Sequence, residues 1–216
     1  MPSRQASQAT SRPINRRQQI VAAAAWVFAR KGYRSASITD VIGRAGVARG
    51  TFYLYFDGKE HVFLAIVDDF SDRVTRMLDE PETPVRLDEH HGQAMLQRSF
   101  RRWLELFAAH RDAAAVILRE APAIDPRFEA SLARLRGLAL AHLAERVRRA
   151  QAAGLVNRSA APEVVARLQM AMVEESVRAF VLPEPSLELD DLDSLARQLA
   201  AFEWNGIRPD SKLGHL

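Results

Sequence analysis

The 216-residue sequence contains no cysteine, which excludes a disulfide framework, a cysteine-based zinc site and a thiol nucleophile at once. That fits a reducing compartment. The apolar run Val21 to Ala29 falls far short of the roughly 20 residues that span a bilayer. Met1 to Arg17 is polar and basic, without the apolar core or cleavage site of a secretory signal. These absences predict a soluble, cytoplasmic protein with no membrane partner. No segment alternates with period two for long enough to make a strand, and no internal repeat is present. A phosphate-binding glycine loop and a nucleophile motif are missing too. His90 and His91 are adjacent and would point to different sides of a helix, so helical metal-ligand spacing is absent. Catalysis is not expected, nor is a cofactor or metal.

Apolar residues make up 48% of the chain, and a chain of this size should bury roughly 70% of its unfolded surface without a covalent staple. The net charge is only +3, but it is unevenly placed. Met1 to Glu60 holds ten Lys or Arg against three Asp or Glu, while the remainder holds twenty against twenty-four. A basic head on a mildly acidic body suggests a polyanion-binding end joined to a part with another task; solubilising charge placed by chance is the plainer alternative.

The apolar periodicity is helical throughout. A first helix is expected from an Asn15 cap to a Gly32 stop. A second short one runs from a Ser37 cap to Ala45, a third covers Arg49–Tyr55, and a long fourth runs from about Lys59 to Leu78. Pro81, Pro84 and the acidic residues of 79–89 read as a linker. Further helices are expected near His91–Ala109, Asp112–Ala121, Pro126–Ala153, Ala161–Leu182 and Leu189–Phe202, with Gly154, Pro183 and Pro185 as punctuation. The fold class is all-α. Residues 1–14 read as a disordered basic arm, 15–60 as a short basic head and 61–216 as a longer helical bundle.

Between the second and third helices, Ala45-Gly46-Val47 has the spacing of a helix-turn-helix. Gly46 supplies the positive φ of the tight turn, and the second helix can then enter a DNA major groove. The string from Ala45 to Phe56, AGVARGTFYLYF, followed by Lys59-Glu60, resembles the recognition signature of the TetR family of transcriptional regulators. Arg16 to Lys31 and Gly32-Tyr33 match in type and spacing. The resemblance covers roughly residues 15–65. It implies a dimeric, ligand-responsive regulator of repressor type, with a helix-turn-helix head and a divergent helical C-terminal domain.

The residue chemistry fits that reading independently. Free amides at Arg49 and the positive dipole end can face phosphate, and Gly50 lets the backbone approach closely. Thr51, Tyr53 and Tyr55 offer hydroxyls to phosphates or base edges, and Arg49 can read a guanine in bidentate fashion. Lys59 is expected to meet a phosphate. By resemblance, Thr39 and Arg44 also lie near DNA, and Arg12, Arg16 and Arg17 can reach the backbone or a minor groove. For Arg16 and Arg44 a merely solvated role stays open. Phe52 and Phe56 are core. Two departures stand out: Ala48, where the family usually has a capping Ser or Thr, and Ile42, where it often has Ala.

A short head reads DNA best in pairs, so a palindromic operator in double-stranded DNA and a homodimer are expected. Leu168, Met172 and Phe180, with Leu192, Leu195, Leu199 and Phe202, predict a four-helix interface with the twin chain; an intramolecular core is the alternative. Phe100, Trp103, Phe107, Leu118 and Met170 suggest an apolar effector pocket, though such a stripe is also ordinary core. Glu174 should pair with Arg178, and Glu175 is left to meet a polar group of the effector. A membrane-surface adaptor is disfavoured by the mixed-sign charge of the long helices. A nonspecific DNA-architectural protein would share the head and need no effector.

Overall fold

The computed structural model describes residues 15–80, 89–120, 126–184 and 189–208, and among these every regular element is helical. The arm at 1–14 and the linker at 81–88 lie outside the described residues, as do the side chains of His90 and His91. The head comprises α1 (Arg16–Lys31), α2 (Ile38–Ala45) and α3 (Arg49–Tyr53). The body follows with α4 (Lys59–Asp79), α5 (Glu89–Ala109), α6 (Arg111–Ala115), α7 (Pro126–Ala152), α8 (Pro162–Ser176) and α9 (Leu189–Ile207).

The helix ends follow local chemistry. The Asn15 side chain accepts from the Arg17 amide at 3.0 Å, and Gly32 closes α1 at φ 75° with its N–H donating to the Phe28 carbonyl. Pro162 opens α8 at a position where a missing N–H costs nothing. Two sequence expectations were too regular. The helix expected over Asp112–Ala121 is one α turn followed by a π-helical turn, Val116–Glu120. The helix expected to reach Leu182 likewise ends in a π-helical turn, Val177–Val181. Apolar periodicity alone does not distinguish a π turn from an α turn of the same burial. Arg111 reaches across to donate to the Leu182 and Pro183 carbonyls at 2.7 and 2.6 Å, satisfying the chain end that the second π turn leaves.

One continuous apolar core runs from Ile20 and Phe28 in α1, through Phe63 and Phe70 in α4, to Leu143 in α7 and Ala200 in α9. Because α4 passes unbroken through residue 60, head and body are joined by a rigid rod. Ion pairs reinforce the junction: Arg17 meets Asp69 at 3.2 Å and Arg30 meets Asp112 at 2.8 Å. In the body, α9 packs along α5 and α7 along α8, with Arg136 of α7 forking onto Glu174 of α8 at 3.0 Å. Glu174 also pairs with Arg178 at 3.5 Å, as the sequence spacing predicts. Among the described residues no helix is long and apolar enough to cross a membrane.

One buried carboxyl stands out. Glu203 of α9 is 7% exposed, and burial pushes its pKa up to about 7, against the weaker opposing pull of Arg146 on α7. Its folded pKa thus exceeds the ordinary value near 4.5, so the protonated form stabilises the fold. That stabilisation is complete below about pH 4.5 and is lost as pH rises through about 7. By linkage it amounts to about 3 kcal/mol. Glu203→Gln should therefore flatten the pH dependence of urea unfolding between these limits and raise stability at about pH 8. A wild-type slope retained in the variant would contradict this.

Candidate functional site

The head is built around its turn. Ser37 and Asp40 form a reciprocal capping box on α2: the Asp40 amide donates to Ser37 Oγ at 3.1 Å and the Ser37 amide to Asp40 Oδ2 at 2.9 Å. A hydrogen bond from Lys31, then those from Ser37, hold the Asp40 carboxyl down to about 2. At the other end Gly46 adopts φ 63° and ψ 36°, the left-handed conformation that terminates α2, and its N–H donates to the Ile42 carbonyl. Gln19 of α1 donates to the Ala45 carbonyl at 2.7 Å, fixing the turn against the first helix.

From this turn α3 emerges with two faces. Phe52 and Phe56 are fully buried, their ring centroids 5.8 Å apart. Tyr53 and Tyr55 are 43% and 39% exposed. Ala48, Arg49 and Gly50 are exposed and Thr51 is half-buried. Arg49 lies over the Tyr53 ring at 5.7 Å, which orders the guanidinium without consuming its donors. On the neighbouring helices Thr39, Arg44 and Arg16 are exposed. Arg44 stacks on Trp26 at 4.3 Å, and Arg16 bonds Gln19 within its own helix at 2.8 Å. Ala48 provides no side-chain cap, so α3 forgoes about 1 kcal/mol that a Ser or Thr there would contribute.

Lys59 has a different setting from the one its sequence position suggests. Its ammonium donates to the carbonyls of Tyr33, Arg34 and Ala36 at 2.6, 3.2 and 2.9 Å and sits 4.5 Å over the Tyr33 ring. All three N–H bonds thus have partners in the α1–α2 loop, and burial lowers its pKa. The expectation of an ammonium presented to phosphate is corrected to a clasp between that loop and α4. Sequence position gave no sign of it, because loop carbonyls carry no residue signature.

In the body, Phe100, Trp103, Phe107, Leu118 and Met170 are all buried in the common core. Two cavities are lined by described residues, and none of those five side chains lies in the wall of either. Glu175 does not face inward: it is exposed, and Arg178 lies 3.8 Å from it. The larger cavity, about 340 Å³, opens between α1, α4 and α6, with Gln18, Asp69, Arg73 and His110 in its walls. The smaller, about 70 Å³, lies between α5, α7, α8 and α9 and contains Glu203, which sequence reasoning missed. Among the residues expected at a dimer surface, Leu168 and Phe180 are exposed and Phe202 is 76% exposed. Met172, Leu195 and Leu199 are half-buried. Leu192 is corrected: it is 1% exposed and belongs to this chain's own core. Val164, on the same apolar helix as Leu168, is also 54% exposed.

Comparison with known proteins agrees with the geometry of the head. Residues 20–66 match the family described as bacterial regulatory proteins, tetR family. Over 69 residues the chain is 32% identical to the uncharacterized HTH-type transcriptional regulator YdgC of Bacillus subtilis, covering 32% of this chain and 35% of that one. Over 79 residues it is 30% identical to the HTH-type transcriptional repressor KstR2 of Mycolicibacterium smegmatis, covering 35% and 38%. The chain thus spans about a third of the length of the curated relatives it matches. Among solved structures, the fatty acid degradation regulator FadR from Bacillus halodurans aligns with a TM-score of 0.71 at 21% identity, covering 95% of this chain and all of that one. FadR from Bacillus subtilis, solved in complex with stearoyl-CoA, gives the same score and identity over 88% and 99%. At that identity the likeness concerns the fold.

Two outcomes follow. Lys59→Met should lower stability by about 2 kcal/mol, the worth of charge-assisted hydrogen bonds lost to partly buried carbonyls, in a denaturant titration; unchanged stability would return the ammonium to solvent. At Gly50 an added Cβ meets nothing within 4 Å, so Gly50→Ala should leave the free protein as stable or up to about 1 kcal/mol more so. The same variant tests the expected approach of the Gly50 backbone to phosphate, on which it should bind duplex DNA more weakly. Equal DNA affinity would contradict that approach.

Proposed function

From the premise that residues 20–66 form a DNA-binding domain of the tetR family, we propose that this chain is a sequence-specific transcriptional regulator that binds a palindromic operator as a homodimer. A small, largely apolar effector releases it. The observation that carries the reading is the division of α3, with Phe52 and Phe56 sealed inward and Arg49, Tyr53 and Tyr55 left outward beyond a left-handed Gly46 turn. Among the described residues that polar face is left exposed. It has the residue types that reach phosphates and base edges.

The dimer reading rests on the outward side of α8 and α9. Val164, Leu168, Phe180 and Phe202 are large apolar side chains left in water by a single copy, and a partner chain that covered them would remove that apolar area from water. A twofold partner would cover it and set two α3 helices about 34–36 Å apart, one turn of DNA. Lying on α4 to α9, an effector site would act through the α4 rod. Lowering operator affinity a hundredfold requires about 2.7 kcal/mol of preference for the released state. A structural neighbour solved with stearoyl-CoA is consistent with an apolar effector here. Repression, rather than activation, follows the relative named a repressor.

Selection of bound fragments from random duplexes at physiological salt tests the proposal. It should return a palindrome, and Arg49→Ala should relax preference at one base position per half-site while retaining the remainder. Recovery of unrelated sequences, or a uniform loss in the variant, would overturn the sequence-reading role.

A further inference from the structure

The cavity around Glu203 has features that the rest of the core lacks. Among the buried side-chain atoms of the described residues, Glu203 Oε2 is the one with no hydrogen-bond partner. Leaving a buried acceptor unmade costs free energy that well-packed cores avoid. The walls are otherwise mainly apolar, with Met95, Leu96, Leu143 and Val147 among them, and Gln169 and Arg146 supply the remaining polar groups. Arg146 already donates to Ser99 Oγ at 2.8 Å. Arg146 is also the cation that favours ionisation of Glu203, against the burial that favours the neutral acid, so a bound molecule need not bring a positive charge.

One wall is adjustable. Trp204 follows Glu203 on α9 and lays its ring against Gly92 of α5, where an added Cβ would stand 2.3 Å from the ring. Gly92 therefore creates the space that the indole occupies, and the indole is half-buried rather than locked. A cavity of about 70 Å³ exceeds the share of one water, about 30 Å³, and displacement of the indole would enlarge it.

We propose that this cavity is a binding site for a small, neutral, apolar molecule bearing one hydroxyl, with Glu203 Oε2 as the acceptor and Trp204 over Gly92 as the movable wall. A neutral donor completes the orphaned oxygen without adding a charge to a site where Arg146 and Glu203 already face each other. An ammonium would leave a net positive charge buried, and a carboxylate would meet Glu203 with like charge. The inference rests on the effector reading above and names the chemistry of the molecule and its place. Glu203 and Trp204 directly follow Phe202 in sequence, so occupancy is felt on the same helix that carries the exposed Phe202 ring.

The test uses the full chain and three probes, 1-butanol, butylamine and butyrate, with the Trp204 indole N–H signal followed by NMR. The proposal predicts a saturable shift of that signal with 1-butanol at millimolar concentration and at least about tenfold weaker responses to the other two. Glu203→Leu, which removes the acceptor and keeps an apolar filling, should weaken the butanol response about tenfold. Gly92→Ala, which forces the indole off its seat against α5, should change the butanol affinity about tenfold while the Trp26 and Trp103 signals report an intact fold. Equal butanol binding in Glu203→Leu, equal response to all three probes, or no shift in the wild-type chain would overturn the site. Operator affinity measured in parallel separates the two readings. A butanol response that leaves DNA binding unchanged removes the effector reading alone, and loss of the butanol response with operator selection intact removes the site alone.

Discussion

The burial of Phe52 and Phe56 beneath α3 is the interaction on which the head depends. A helix of five residues without a side-chain cap is far below the length at which helices persist in water. It exists because two aromatic rings on one side are fully enclosed. Phe56 is flanked by Arg17 over its ring at 5.6 Å and by the His61 ring at 5.3 Å, so α1 and α4 grip it from both sides. The rest of α3 is left outward: Arg49 and Tyr53, one turn apart, are both exposed and share one side of the helix.

The same aromatic layer explains why the head is rigidly continuous with the body. Phe28, Tyr33 and Phe63 pack edge to face at 5.3 Å, and the Lys59 ammonium closes over Tyr33 while holding the loop that precedes α2. A residue whose position suggested contact with an external anion thus stabilises the scaffold that presents α3. The two roles draw on the same three N–H donors, which the loop carbonyls already occupy. Movement of α4 would therefore be transmitted to the head without an intervening hinge.

The head was legible in the sequence because its signals are local. Asn15 and Ser37 cap helices, Gly32 ends the first one and Gly46 has the positive φ expected of it, and α2 has the bounds that its cap and glycine imply. The body was less legible because its meaning lies in pairings between distant segments. Apolar spacing in α9 gave Leu192 and Phe202 equal standing, yet packing against α5 encloses the first and leaves the second in water. Periodicity likewise put Glu175 among candidate pocket residues, whereas the turn of α8 directs Glu174 onto Arg136 and Glu175 outward. Glu203 carried no local signal at all. An acidic residue near the end of an amphipathic helix reads as solvated, and only the approach of α5, α7 and α8 around it makes it buried.

The account stands most directly on the outward face of α3. Backbone amide shifts recorded while the protein is titrated with a duplex taken from its own selected sites would locate the contact. The account predicts changes concentrated at Thr39, Arg44 and Ala48 through Tyr55, with the amides of α7 and α8 little affected. Changes confined to the body helices, with α3 silent, would contradict it.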